Sequence, residues 1–390
     1  MVIAQLTTDN REPYREYDKV VPWFGAAPEA LLQGFAKMAD LEIHVISCAQ
    51  QPMKSPEKLA DNIWFHSLHV PKLGWLRTGY QGCIRAVRKT LRAIQPDIVH
   101  GQGTERDCAI SALFSGFPNV VTLHGNMAEL ARLFPQRIGS YGWLAARLEN
   151  FTLKRAGGVF CNSEYTESLV RNRARRFWRV PNAIREELFS TPKGTVAPAR
   201  CTLLNIGVIS PRKRQLELLE RMAEMHRRGL EFDLEFIGVV DANDAYGAAF
   251  LKAVEAKQGC ARYLGLKSTQ ALIACCDRAS GLIHFPTEEA FGLVVAESLV
   301  RGLKLFGSRV GGIIDIATGV EGAELFEKDD WAGLEAAIAR WIGRGSPRPL
   351  EAAALMRERY HPDAIARRHL EIYREVLKYR PVSSTQNSSP

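Results

Sequence analysis

The chain predicts an α/β protein of two domains, each built on an open, mostly parallel sheet. Three observations carry this. Short apolar runs of strand length alternate with longer amphipathic runs along the sequence. The alternation breaks at a Pro-, Gly- and Thr-rich stretch, Ser190–Ala199, and restarts at Cys201. A length of 390 residues with 46% apolar side chains is enough for two cores.

The net charge of +8 is concentrated in the first half. A basic half suggests an acidic partner: a nucleotide, an anionic acceptor or anionic lipid. No nucleic-acid-binding module is present, so nucleic acid is not an expected partner. Neither G-x-x-x-x-G-K-[ST] nor G-x-G-x-x-G follows a strand, which argues against a P-loop enzyme and an ordinary dehydrogenase. The eight cysteines are scattered without a C-x-x-C and read as buried free thiols, which fits a cytoplasmic setting. No apolar run reaches transmembrane length, and Met1–Leu6 reads as a first strand, not a leader.

In the first half, Val2–Leu6 reads as a buried strand, followed by a polar segment, Thr7–Trp23. Phe24-Gly25-Ala26-Ala27-Pro28 leads into a helix over Glu29–Met38, and Leu41–Ser47 and Ile63–His69 read as strands. Between Asp61 and Asp97 there is no acid. Lys72, Arg77, Arg85, Arg88, Lys89 and Arg92 lie there beside Trp75 and Tyr80, with a helical period over Gly82–Ile94. This is a solvated basic helix or a surface for an anionic acceptor or membrane lipid. Gln95–His100 begins another strand, Asn119–Gly125 is a strand ending in His124, and Ser163 is placed to cap a helix after Gly158–Asn162.

In the second half, the strand Cys201–Ile209 is followed by Ser210-Pro211, a helix-start signal, and by three cations, Arg212, Lys213 and Arg214. Cations in a first helical turn oppose the helix dipole unless an anion sits there. Phe232–Gly238 and Ala261–Gly265 read as strands and Thr269–Cys276 as a short helix. The buried strand Ser280–Phe285 is broken by Pro286-Thr287 and followed by Glu288 and Glu289. Phe291-Gly292-Leu293 then opens a helix, with Glu297 roughly 7 Å further along its axis. A strand end, an acidic loop and a helix N-terminus is how an open α/β sheet builds a ligand site, and the free N–H groups suit an anion. Leu303–Gly307, the turn Val310–Asp315, and helices over Trp331–Gly343 and His361–Tyr379 follow. Val382–Pro390 is polar and Ser-rich, the composition of a disordered tail.

Glu289 and Glu297, flanking Phe291-Gly292-Leu293, resemble the E-x-x-x-x-x-x-x-E signature of retaining GT-B glycosyltransferases, family four in particular, with Ala290 in place of a glycine. Gln95–His100, Gly158–Glu164, Val180-Pro181-Asn182-Ala183-Ile184 and Val310-Gly311-Gly312 resemble further segments of that family, with Arg185 standing for its usual aspartate. The resemblance implies two Rossmann-like domains facing across a cleft: an acceptor domain over residues 1–188, a nucleotide-sugar donor domain over 200–361, and a last helix, about 362–380, crossing back to the first domain. Residues 381–390 would be the disordered tail.

The same resemblance implies roles. Glu289 would hold donor-sugar hydroxyls, Glu297 the nucleotide ribose, and His124 the donor sugar from the first domain. Lys213, with the N–H groups around Gly292–Val294 in the Phe291-Gly292-Leu293-Val294 turn, would neutralise the diphosphate. Val208 stands where the family has an arginine, so Arg212 or Arg214 would supply a second cation, Arg212 being counted with the donor site. Leu266 would meet the nucleobase, and Gly25 marks the first loop. The implied activity is transfer of a hexose-type sugar, UDP-sugar favoured, to a carbohydrate or lipid-linked hydroxyl acceptor in glycoconjugate synthesis, with no metal or other cofactor. The leaving phosphate would take the acceptor proton, so no protein nucleophile is assigned. Two alternatives stay open: a GT-B nucleotide-sugar epimerase, and a non-catalytic nucleotide-sugar-binding subunit.

Overall fold

Buried strands whose successive side chains fill opposite faces organise both halves of the chain. The structure is a computed structural model, and it describes residues 1–191, 200–349 and 351–378. Most of the expected linker, residues 192–199, and the tail 381–390 lie outside the described residues. The described chain divides into two units, Met1–Pro181 with the C-terminal helix, and Asn182–His361.

The first unit contains β1 (Val2–Leu6), α1 (Ala26–Ala36), β2 (Glu42–Ala49), β3 (Lys58–Ala60), β4 (Ile63–His69), α2 (Gln81–Ile94) and β5 (Ile98–Gln102). It continues through α3 (Cys108–Leu113), β6 (Asn119–Leu123), α4 (Met127–Leu133), α5 (Tyr141–Leu153), β7 (Val159–Cys161), α6 (Glu164–Val170) and β8 (Phe177–Arg179). The sheet order is β3-β4-β2-β1-β5-β6-β7-β8, parallel except for the β3–β4 pair. Ser163 caps α6 in a reciprocal box with Thr166, satisfying two otherwise unpaired N–H groups.

The second unit contains β9 (Thr202–Ile206), α7 (Gln215–Arg227), β10 (Asp233–Ile237), α8 (Ala245–Glu255), β11 (Ala261–Tyr263), α9 (Thr269–Arg278) and β12 (Gly281–His284). Then come α10 (Leu293–Val300), β13 (Lys304–Ser308), α11 (Gly312–Ala317), β14 (Ala323–Phe326), α12 (Trp331–Gly343) and α13 (Ala352–Tyr360). Its all-parallel sheet runs β11-β10-β9-β12-β13-β14. Alternation divides its core: Leu204, Leu282 and Leu305 pack under α9, α10 and α11, while Leu203, Ile283 and Phe306 pack under α7, α8 and α12. Each such side chain contributes about 1.5–3 kcal/mol by leaving water.

Two expectations are corrected. The first domain does not run to residue 188: Ile184 and Leu188 are fully buried in the second unit's core, and the Ile184 N–H donates to the Tyr360 carbonyl at 2.9 Å. The three cations do not occupy the first turn of α7. They precede it, in a 3₁₀ turn over Pro211–Lys213, and Arg214 adopts a left-handed conformation (φ 58°) that separates turn from helix.

The last helix, α14 (Pro362–Lys378), belongs to the first unit, as the GT-B reading expects. Gly34 on α1 lets it approach: a Cβ there would lie 2.4 Å from the Pro362 carbonyl oxygen. Its Tyr373 hydroxyl bonds the His100 Nδ1 at 2.5 Å in an aromatic cluster with Phe160 and His369.

Candidate active site

In the second sheet β9 and β12 are neighbours, and the chain leaves them in opposite directions. That switch point is where an open α/β sheet leaves a crevice at the C-terminal ends of its strands. The loops after these two strands carry most of the residues singled out from the sequence.

After β9 the chain turns at Gly207. A Cβ on the neighbouring Gly238 would lie 1.9 Å from the Gly207 carbonyl, so the strand ends require glycine to pass. The 3₁₀ turn then brings Arg212 and Lys213 back over the sheet edge, where the Thr287 N–H donates to the Arg212 carbonyl at 2.9 Å. Lys213 pairs with Glu289, and both side chains are largely buried. The His284 Nε2 lies 3.0 Å from the same Glu289 oxygen. Arg212 donates to the Glu288 backbone carbonyl at 2.9 Å and to its carboxylate at 3.2 Å.

The electrostatics follow from that packing. Burial pushes the Glu289 carboxyl up, but Lys213, His284 and Arg212 together outweigh it and hold the group well below the usual carboxylate range. Burial lowers Lys213, opposed by the attraction of Glu289. Burial, with Lys213 adding, drives His284 down to about 4, so at neutral pH it is an uncharged imidazole. A neutral ring can donate its Nε2 proton to Glu289, which orients that carboxylate without adding charge.

Arg214 does not share this cluster. It reaches Asp329 at 3.1 Å and stacks over Trp331, 4.7 Å from the ring centroid. Of the two cations open to the site, Arg212 is therefore the one beside Lys213 and Glu289. Val208 is 55% exposed and brings no charge.

The start of α10 is shaped by glycine. Gly292 is left-handed (φ 97°), and a Cβ on it would press on Ile313 and Glu289 at 3.3 and 3.4 Å. Gly312 admits the Phe291 backbone, which a Cβ would meet at 2.6 Å, and its N–H holds the Glu289 carbonyl at 3.1 Å. These contacts fix Glu289 from behind. The N–H groups of Leu293 and Val294 lie in the first turn, where an α-helix offers no internal acceptor, while Phe291 is buried. Glu297 is 5% exposed on α10, bonded by Arg185 at 3.1 Å. Leu266 is 60% exposed at a turn opened by left-handed Gly265.

The first unit holds the remaining two. His124 follows β6, donates its Nε2–H to Gln102 Oε1 at 2.8 Å, and is held down to about 4 by burial. Glu105 lies beside it, its carboxylate filling the space over Gly103 and Gly125; burial, with Glu149 adding, raises it to about 7. Gly25 is exposed at the N-terminus of α1 with φ −69°, a conformation any residue adopts, so no close backbone approach requires glycine there.

His284, Glu288 and Glu105 went unassigned from the sequence. The signal for His284 was a polar residue ending an apolar strand; nothing local distinguished Glu288 from its neighbour. Among the described residues one group could share a metal ion, Cys48, Cys83 and Asp107, buried in the first unit with their ligand atoms within 4.8 Å of one another.

These two parallel-sheet units, with a basic turn and an acidic loop meeting at the switch point of the second, define a GT-B type of protein. The family profile of Glycosyltransferase Family 4 matches residues 29–188, and that of Glycosyl transferases group 1 matches residues 192–356. The chain belongs to glycosyltransferase family 4 and is a glycosyltransferase.

Among solved structures, sucrose-phosphate synthase from Thermosynechococcus elongatus is similar over 97% of this chain and 99% of its own, at 17% identity and a TM-score of 0.76. HepE from Anabaena, solved in complex with UDP-glucose, covers 96% and 100%, at 16% identity and a TM-score of 0.70. The lipopolysaccharide outer core galactosyltransferase WaaB covers 96% and 100%, at 15% and 0.64. At these identities the likeness is one of fold. No curated protein sequence matches the chain.

Proposed function

We propose that the protein transfers a hexose-type sugar from a nucleotide-sugar donor, a UDP-sugar by preference, to a hydroxyl acceptor with retention at the anomeric carbon, in polysaccharide, glycolipid or other glycoconjugate synthesis. The observation that carries this is the buried Lys213–Glu289 pair beside the open N–H groups of α10. The complex of the structurally similar HepE with UDP-glucose supports a UDP-sugar as the donor.

Departure of the diphosphate builds negative charge on its oxygens. Fixed cations and helix amides aimed there lower that barrier more than any other single effect. Lys213, Arg212 and the N–H groups of Leu293 and Val294 fill this role. Glu289, kept ionised and oriented by His284, holds sugar hydroxyls, and Glu297 the ribose. The leaving phosphate oxygen accepts the acceptor proton, so the chain supplies no nucleophile, and the reading assigns no metal or other cofactor.

The acceptor side draws on α2. Arg85, Arg88, Lys89 and Arg92 are all exposed, and with Lys72 and Arg77 they have no ion-pair partner among the described residues. Such a face suits a phosphate-bearing, lipid-linked or carbohydrate acceptor and peripheral contact with anionic lipid. Among the described residues, no helix is long and apolar enough to cross a membrane. The eight free cysteines support a cytoplasmic setting.

Turnover of a panel of nucleotide sugars, with and without hydroxyl acceptors, tests the reading. Acceptor-dependent release of nucleoside diphosphate supports transfer. Conversion of the donor without acceptor means epimerisation, and binding without turnover means a non-catalytic subunit.

A further inference from the structure

Arg185 sits on the segment entering the second unit and bridges two elements far from it in sequence. Its Nη1 donates to the Thr269 hydroxyl at 2.7 Å, at the start of α9, and its Nη2 to Glu297 Oε1 at 3.1 Å, on α10. Both partners of the ion pair are largely buried, with side-chain exposures of 15% and 6%. The Arg185 Nε is buried with no acceptor. Leaving a buried donor unpaired is unfavourable, so the other two contacts dictate where the guanidinium lies. Among the described residues, Glu297 Oε1 has this one cation, and Oε2 has no hydrogen-bond partner.

This makes Arg185 a tie between the turn carrying Leu266 and the carboxylate one turn into α10. A planar guanidinium fixes a carboxylate by its plane as well as by charge, and an ammonium cannot span both partners in the same way. We infer that Arg185 is a positioning residue that sets ribose specificity: it holds one oxygen of Glu297 and Thr269, and so presents the second oxygen to a ribose hydroxyl. The inference rests on the donor-site reading of the second unit. It places a determinant of nucleoside recognition outside the loop and helix that carry the two glutamates.

The test is calorimetry on the full chain, using whichever of UDP, GDP and ADP binds tightest, together with its 2′,3′-dideoxy form. The wild type should prefer the ribonucleotide by about tenfold or more, the scale of one charged hydrogen bond. In Arg185→Ala that preference should collapse toward the value in Glu297→Ala, and the double variant should lose nothing more. Arg185→Lys, which keeps the charge and so the fold, should fall between. If both Arg185 variants weaken the two ligands equally and keep the wild-type ratio, Arg185 is structural and the inference is overturned. It is overturned as well if the wild type does not tell the two ligands apart. Failure of the wild type to bind any of the three diphosphates overturns the donor-site reading itself, and the inference with it.

Discussion

The ammonium of Lys213 and the carboxylate of Glu289, 76 residues apart in the chain, form an ion pair whose side chains are only 11% and 12% exposed. It joins the loops after β9 and β12 where the second sheet changes direction. Truncating one member of a buried pair leaves the other uncompensated, which typically costs about 3–5 kcal/mol. A pair retained at a crevice edge is better explained by what it can offer a ligand.

Lys213→Ala should lower kcat by roughly 10²-fold or more, the scale of losing one contact to a developing charge. Steady-state kinetics with the best donor of the panel gives the number. An unchanged kcat would move the role to Arg212.

The two glutamates should separate by readout. Glu297→Ala should weaken binding of the nucleoside diphosphate alone, because it removes a charge-assisted bond to ribose. Glu289→Ala should leave that affinity nearly intact and damage turnover. Calorimetry and kinetics on the same preparations decide it, and equal losses of affinity would show that the two ends are misassigned.

Stability should fall as pH drops from about 6.5 toward 4. His124, His284 and His369 are each held down to about 4 by burial, whereas an unfolded chain titrates them near 6.5. Across that window the unfolded state binds more protons, so acid favours it. The depressed Glu289 acts in the same direction, its contribution being lost as pH falls through the acid range. Glu105 opposes: its folded value of about 7 gives stability that declines as pH rises from about 4.5 toward 7. Three imidazoles should outweigh that one carboxyl. Melting temperature measured from pH 7 to 4.5 should decrease, and His369→Gln should flatten the curve. A melting temperature that rises on acidification would contradict the assignment.

The basic face of α2 should bind anionic vesicles at low salt and release them as salt rises, at about 1 kcal/mol per basic residue near the surface. Replacing Arg85, Arg88 and Lys89 by glutamine should abolish co-sedimentation without altering the fold, since all three are exposed. If the wild type does not sediment with anionic vesicles and the triple variant is fully active, the face is only solvated.

The alternation of apolar strands and amphipathic helices was legible because it is local, and β4 and α12 fall at their expected residues. The domain boundary was not, because it depends on Ile184 and Leu188 burying against residues more than a hundred positions away. Trp75 and Tyr80 read as part of the basic surface, yet they are 7% and 3% exposed; both pack into the core beneath it, and Leu73, 82% exposed, faces solvent instead. In the site, the motif spacing singled out Glu289, Glu297 and Lys213. Which cation meets which carboxylate is a matter of tertiary register. Arg212 and Arg214 are two residues apart but diverge because Arg214 itself is left-handed, where the turn gives way to the helix. Arg185 stood out only as a departure from an aspartate, and its partner lies 112 residues away.

The most direct measurement is a crystal structure of the protein with a nucleoside diphosphate bound. The phosphates should lie within hydrogen-bond distance of Lys213 Nζ and of the Leu293 and Val294 N–H groups, with the ribose hydroxyls on Glu297. A diphosphate bound elsewhere, with the Lys213–Glu289 pair untouched by ligand, would contradict this placement.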